Sequence, residues 1–238
     1  GGPRLIPDAV HPSWAGHLVM ATHILKGLGA PRLVSSVEID VTAPNSYRLT
    51  SSQNALIAWR GSVLSQPQNL LVGPVFINKN SPNLSFVRTD GALPWPIHPD
   101  TKLALDIPNF KPLDELSRYE LKVTNLPQSK YEISIDDQSI GTFSREQLSA
   151  GVNLSNNAGP ITVQAQQLLQ KILDKNDAFN TRWRNVQIFQ APEWLKTDIE
   201  TARTAELARL DAQIAAMESE IDELRKPKPH VWTLKPVI

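Results

Sequence analysis

The apolar residues of this chain change their period twice, and that change limits its architecture more than any other feature. Over residues 13–28 they recur at three- and four-residue steps, as Leu18, Ala21, Ile24, Leu25 and Leu28. From residue 33 to about 154 they alternate with polar residues, and beyond Gly159-Pro160 the helical step returns. A strand presents every second side chain to one face and a helix every third or fourth, so each pattern fits one conformation only. The chain is expected to be α+β in three parts: a loop and helix over 1–32, a mainly antiparallel β-rich module over 33–158, and a helical region over 159–238.

Within the middle part, residues 37–41, 55–59, 84–87, 103–107, 119–123 and 131–135 alternate and predict six or more strands. Asp136-Asp137-Gln138-Ser139 supplies a turn that would fold residues 133–135 back onto 140–143 as a hairpin. Aromatic residues at strand positions usually belong to a core. Trp59, Trp95 and Tyr131 are therefore read first as packing residues, with a carbohydrate-binding platform as the functional alternative.

In the last part, residues 161 to about 179 read as one helix and 193 to about 225 as another, opened by Pro192. Leu207, Leu210, Ile214, Met217, Ile221 and Leu224 give the second an apolar seam of heptad type. That seam can dock on the 161–179 helix, or it can pair with a second copy in a helix-mediated oligomer. Pro227 and Pro229 stop the helix, and residues 230–234 form a tail expected to lie back on the body.

Chemistry concentrates near the start, in Asp8-Ala9-Val10-His11-Pro12 leading into the first helix, with Ser13 as its cap and Gly29 ending it. A carboxylate three residues before an imidazole can hold one ring nitrogen, fix the tautomer and free the other nitrogen as a general base. The remaining histidines do not extend this into a metal site: six-residue spacing turns a helix by about 600°, which points His17 and His23 roughly 120° apart. His98 and His230 read as solvated or hydrogen-bonded, and the carboxylates Asp136, Asp137, Glu218 and Glu220 as solvated surface. No cofactor is expected.

The run Leu5-Ile6-Pro7-Asp8-Ala9-Val10-His11-Pro12-Ser13, followed by Ala15-Gly16-His17-Leu18-Val19-Met20-Ala21, resembles the last conserved block of the SGNH/GDSL hydrolases. Downstream, Val34-Ser35-Ser36-Val37-Glu38-Ile39-Asp40, Leu121-Lys122-Val123-Thr124-Asn125-Leu126-Pro127, Gly141-Thr142-Phe143 and Gly151-Val152-Asn153-Leu154 resemble the C-terminal extension of certain bacterial members. The resemblance implies that residues 1–32 are the terminal loop and helix of an α/β/α, flavodoxin-like domain, with Asp8 the orienting acid and His11 the base. It also implies that the nucleophilic serine and the oxyanion-hole residues lie on an upstream segment of the same protein, since no Gly-Asp-Ser block is found here. Ser62 in Arg60-Gly61-Ser62-Val63 lacks the Gly-Asp that precedes such a nucleophile. The substrates implied are small acyl esters, acetylated sugars among them, and the chain alone is expected to be inactive. The rival from another class is a non-catalytic module that binds a glycan or a protein.

Packing points the same way. The apolar band of the first helix is too wide for a solitary surface helix, because burying five or six such side chains is worth on the order of 10 kcal/mol. It is expected to pack on a surface not contributed by residues 34–154.

Equal numbers of acidic and basic residues, 24 each, give no basic footprint for nucleic acid. No apolar stretch is long enough to span a bilayer. The absence of cysteine leaves both reducing and oxidising compartments open, and an extracytoplasmic or secreted location is compatible with it.

Overall fold

The computed structural model describes residues 4–43, 46–59, 75–76 and 83–237. It is mixed α and β, and it divides into two compact units: Gly1–Gln164 with Pro227–Ile238, and Ala165–Lys226.

The first unit carries two five-stranded sheets. One has the order β4-β2-β1-β6-β9, from Val75–Phe76, Ser46–Gln53, Leu33–Ala43, Arg118–Thr124 and Val152–Asn153. The other has the order β3-β5-β10-β7-β8, from Ala55–Trp59, Leu84–Asp90, His230–Pro236, Lys130–Ile135 and Gln138–Ser144. All pairings are antiparallel except β1 with β6. The alternation read from the sequence is the mechanism: Tyr119, Leu121 and Val123 of β6 point inward with Val37 and Ile39 of β1. Tyr131, Ile133 and Ile135 of β7 join Trp232 and Leu234 of β10 in the same core. Asp136 and Asp137 both adopt left-handed conformations, φ 49° and 65°, which gives the two-residue turn whose twist suits the β7–β8 hairpin.

Three expectations change. The 230–234 tail is β10, hydrogen-bonded to β5 on one side and β7 on the other, and so a central strand. Residues 103–107 are not a strand: Pro99–Thr101 form a 3-10 turn capped by His98, whose Nδ1 accepts the Asp100 N–H at 3.2 Å, and the chain continues into α2, Lys102–Leu105. The buried residues there are Thr101 and Ala104, at helical spacing, which outweighs five residues of alternation.

The third correction concerns the first helix. α1, Trp14–Gly27, packs on residues inside 34–154, namely α2, its preceding 3-10 turn, and α3, Pro112–Leu116. Ala15, Leu18 and Ala104 are buried there, with Val19, Trp95, Leu103 and Phe110 around them. Only one side of the band is covered in this way. Trp14, Met20, Ile24 and Leu28 stay exposed, Leu28 at 78%.

The second unit is mostly helical. After α4, Arg145–Ala150 of the first unit, α5, Pro160–Thr181, begins in the first unit, continues through a π-helical turn at Arg182–Gln187, and is followed by α6, Lys196–Leu224. Ion pairs between Lys171 and Glu220 (2.7 Å) and between Arg182 and Asp211 link α5 and the π turn to α6. Leu210 is buried and Leu207, Ile214, Met217, Ile221 and Leu224 are half-buried. No helix among the described residues is long and apolar enough to cross a membrane.

Candidate active site

The segment before α1 is folded by its own polar groups. The Leu5 carbonyl accepts both the Ser13 N–H (2.8 Å) and the Ser13 hydroxyl (3.0 Å). The same hydroxyl oxygen caps α1 by accepting the Gly16 N–H at 3.2 Å. The Leu5 carbonyl lies so near the helix that a Cβ on Gly16 would sit 2.3 Å from its oxygen. Glycine is thus the residue that lets the loop close on the helix.

At the tip of that loop, Ala9 takes φ 64° and the chain wraps around the Asp8 carboxylate. Oδ1 accepts the N–H groups of Val10 (3.0 Å) and His11 (2.7 Å). Oδ2 lies 2.6 Å from His11 Nδ1. An ionised carboxylate can only accept, so Nδ1 carries the proton and Nε2 of the neutral ring holds the free lone pair. The hydrogen bond from the His11 ring, followed by those from the His11 and Val10 backbone, lowers the Asp8 pKa to about 2. Asp8 is therefore charged wherever a histidine titrates. The His11 side chain is 81% exposed, so its geometry is that of an oriented base on an open surface.

The other histidines stand apart from this pair. His17 Nδ1 donates to the Ser13 carbonyl (3.1 Å) and His23 Nδ1 to the Val19 carbonyl (2.8 Å), each within α1. His98 stacks on Trp14, with ring centroids 3.9 Å apart and planes 7° off parallel. Among the described residues no three His, Asp or Glu side chains gather as a metal site.

Of the aromatic platform, Tyr131 is buried in the core and Trp95 is half-buried beside Ala15 and Leu18. The Trp59 side chain and Ser62 lie outside the described residues. Asp136, expected to be solvated, instead pairs with His230 at 2.6 Å. Sequence reasoning placed Ser13 as the cap but missed its bond to the Leu5 carbonyl and the positioning role of Gly16. The signal available was a cap residue followed at three by glycine, but what makes that glycine necessary is the Leu5 carbonyl, which only the folded loop brings there.

No family model matches the chain, and no curated protein matches it. Among solved structures it is similar to a gut microbial diltiazem-metabolizing enzyme, with a TM-score of 0.71 and 22% identity. That likeness covers 99% of this chain and 57% of the other, so this chain spans little more than half the length of its structural neighbour. At that identity the likeness is one of fold.

Proposed function

We propose that this chain is the C-terminal part of a serine ester hydrolase of the SGNH/GDSL kind, in which His11 is the general base and Asp8 its orienting acid. The observation that carries the reading is the Asp8–His11 pair: the carboxylate fixes the tautomer through Nδ1 and leaves Nε2 open to a reactant. A serine on an upstream segment would attack an acyl carbonyl while His11 Nε2 takes its proton. His11 would then return that proton to the departing alkoxide, and water would repeat the sequence to release the acid.

Two further features support this. The side of α1 bearing Met20, Ile24 and Leu28 is apolar and exposed, as a helix awaiting a flavodoxin-like sheet would be. The structural neighbour is described as a diltiazem-metabolizing enzyme and is longer than this chain. Small acyl esters, acetylated sugars included, are the substrate class.

The test joins the chain to its natural upstream segment and follows 4-nitrophenyl acetate hydrolysis. The joined protein is expected to turn over, the 238-residue chain alone to match buffer, and His11→Ala to lower the joined rate by about 10⁴-fold or more. Ile24→Glu should leave the isolated chain's stability within about 0.5 kcal/mol and abolish the joined activity. A joined enzyme that keeps its rate without the imidazole would place the base elsewhere.

A further inference from the structure

A cavity of about 370 Å³ opens at one end of the two-sheet core, where β1 and β2, the β6–β7 turn, the start of β5 and the end of β10 meet. It shares no lining residue with the Asp8–His11 loop. Its volume falls in the range of small-molecule sites, roughly 300–1,000 Å³, and its walls are predominantly apolar. Leu84 and Leu126 form two of those walls, each almost wholly buried. The rings of Tyr47 and Tyr131 line it as well, and both residues are buried.

Polar groups in the lining are few. Tyr131 Oη accepts the Gln128 N–H at 3.0 Å, which leaves its own O–H to donate. Tyr47 brings a second phenol hydroxyl to the lining. The Asn125 side chain, also in the lining, is held by Asp40 at 2.7 Å. Among the described residues, none in the lining is charged.

We propose that this cavity binds a small neutral organic molecule with an aromatic ring and one hydrogen-bonding oxygen, seated between the sheets against Tyr47 and Tyr131. A charged ligand would lose its hydration with no opposite charge among the described lining residues to meet it. A sugar would leave most of its hydroxyls facing leucine and proline. An aromatic ring packs favourably against tyrosine side chains, and an oxygen on it can accept a tyrosine O–H. Burial, and secondarily the neighbouring Tyr131, raises the Tyr47 pKa, so that phenol stays protonated as a donor at neutral pH.

The probe is 2-naphthol, titrated into the full chain and followed by the amide NMR signals of Tyr47, Leu84, Leu126 and Tyr131. Saturable shifts at those signals are expected, weakened roughly threefold to tenfold in Tyr47→Phe and lost in Leu126→Trp, which fills the space. Naphthalene-2-sulfonate and N-acetylglucosamine are expected not to bind. Absence of saturation by 2-naphthol overturns the proposal. So does affinity unchanged in Tyr47→Phe, an isosteric variant that keeps the fold even if Leu126→Trp does not. Binding of the sulfonate or the sugar in place of naphthol overturns it too.

Discussion

His230 Nδ1 and Asp136 Oδ2 lie 2.6 Å apart, joining the first residue of β10 to the turn between β7 and β8. Asp136 Oδ1 also accepts the Val231 N–H at 2.8 Å, and the Asp136 N–H donates to the Val231 carbonyl at 2.8 Å. One aspartate thereby fastens the chain, at its return from α6, to a hairpin about ninety residues upstream.

This pairing makes stability depend on pH. Burial raises the Asp136 pKa, but the hydrogen bonds from His230 and Val231 together with the His230 charge outweigh it and lower the value. A depressed carboxylate pKa contributes stability above the ordinary aspartate range and loses it as pH falls through the folded value. Asp136→Asn is expected to cost about 1 kcal/mol at pH 7 in urea unfolding, and to lose that difference from wild type in acid, as pH falls below the ordinary aspartate range and through the lowered folded value. An equal cost at both pH values would show that the charge is not what matters.

A second carboxylate sits deeper. Asp90 Oδ1 accepts Arg88 Nε at 2.8 Å, Asp90 also pairs with the Ser35 and Tyr119 hydroxyls, and Arg88 reaches Ser35 Oγ (2.6 Å) and the Glu120 carbonyl (3.0 Å). Both side chains are almost wholly buried, with the guanidinium 4.2 Å from the Tyr119 ring centre and 4.9 Å from that of Trp232. Removing one member strands the other charge, so Asp90→Ala is expected to destabilise by about 3–5 kcal/mol. Replacing both, as Arg88→Met with Asp90→Leu, should cost less than Asp90→Ala, a comparison that denaturant titration makes directly.

Gly16→Ala addresses the candidate base without touching it. The new Cβ would meet the Leu5 carbonyl, so the loop must lift and the bonds from Ser13 to Leu5 must lengthen. The expected readout is a His11 Nδ1 proton that exchanges faster with solvent, together with a loss of about 1–3 kcal/mol in stability. Unchanged exchange would mean the Asp8 turn holds itself.

Asp8 can be followed by carboxyl ¹³C NMR. Its titration is expected near pH 2, and His11→Ala should move the midpoint up toward the ordinary 3.8, because the largest cause of the shift is then gone. The local order that the carboxylate imposes should persist above that ordinary value and fade as pH falls through about 2.

Much of this was legible in the chain. Period-two alternation located β1, β3, β5, β6 and β7, since a strand half-buried on a core must place every second residue inward, and the Asp136-Asp137 turn located β8. Ser13 and Gly29 bounded α1, and a three-residue spacing sufficed for Asp8 to reach His11, because cap and turn hydrogen bonds run between near neighbours. Leu103 and Leu105 misled because two apolar residues a strand's spacing apart also fit the single helical turn of α2.

What the sequence by itself determined is therefore local: which segments are helix or strand, where they are capped, and that Asp8 and His11 can pair. Tertiary structure decided what depends on distant partners. It made residues 230–236 a central strand between β5 and β7, drew Arg88 and Asp90 inside because Ser35, Tyr119 and the Glu120 carbonyl satisfy them there, and divided α1 into a side covered by α2 and α3 and a side left open. Backbone hydrogen bonds and caps act over a few residues and so leave a trace in sequence spacing. The burial of a charge or the partner of a sheet edge is set by groups that only the folded chain brings together.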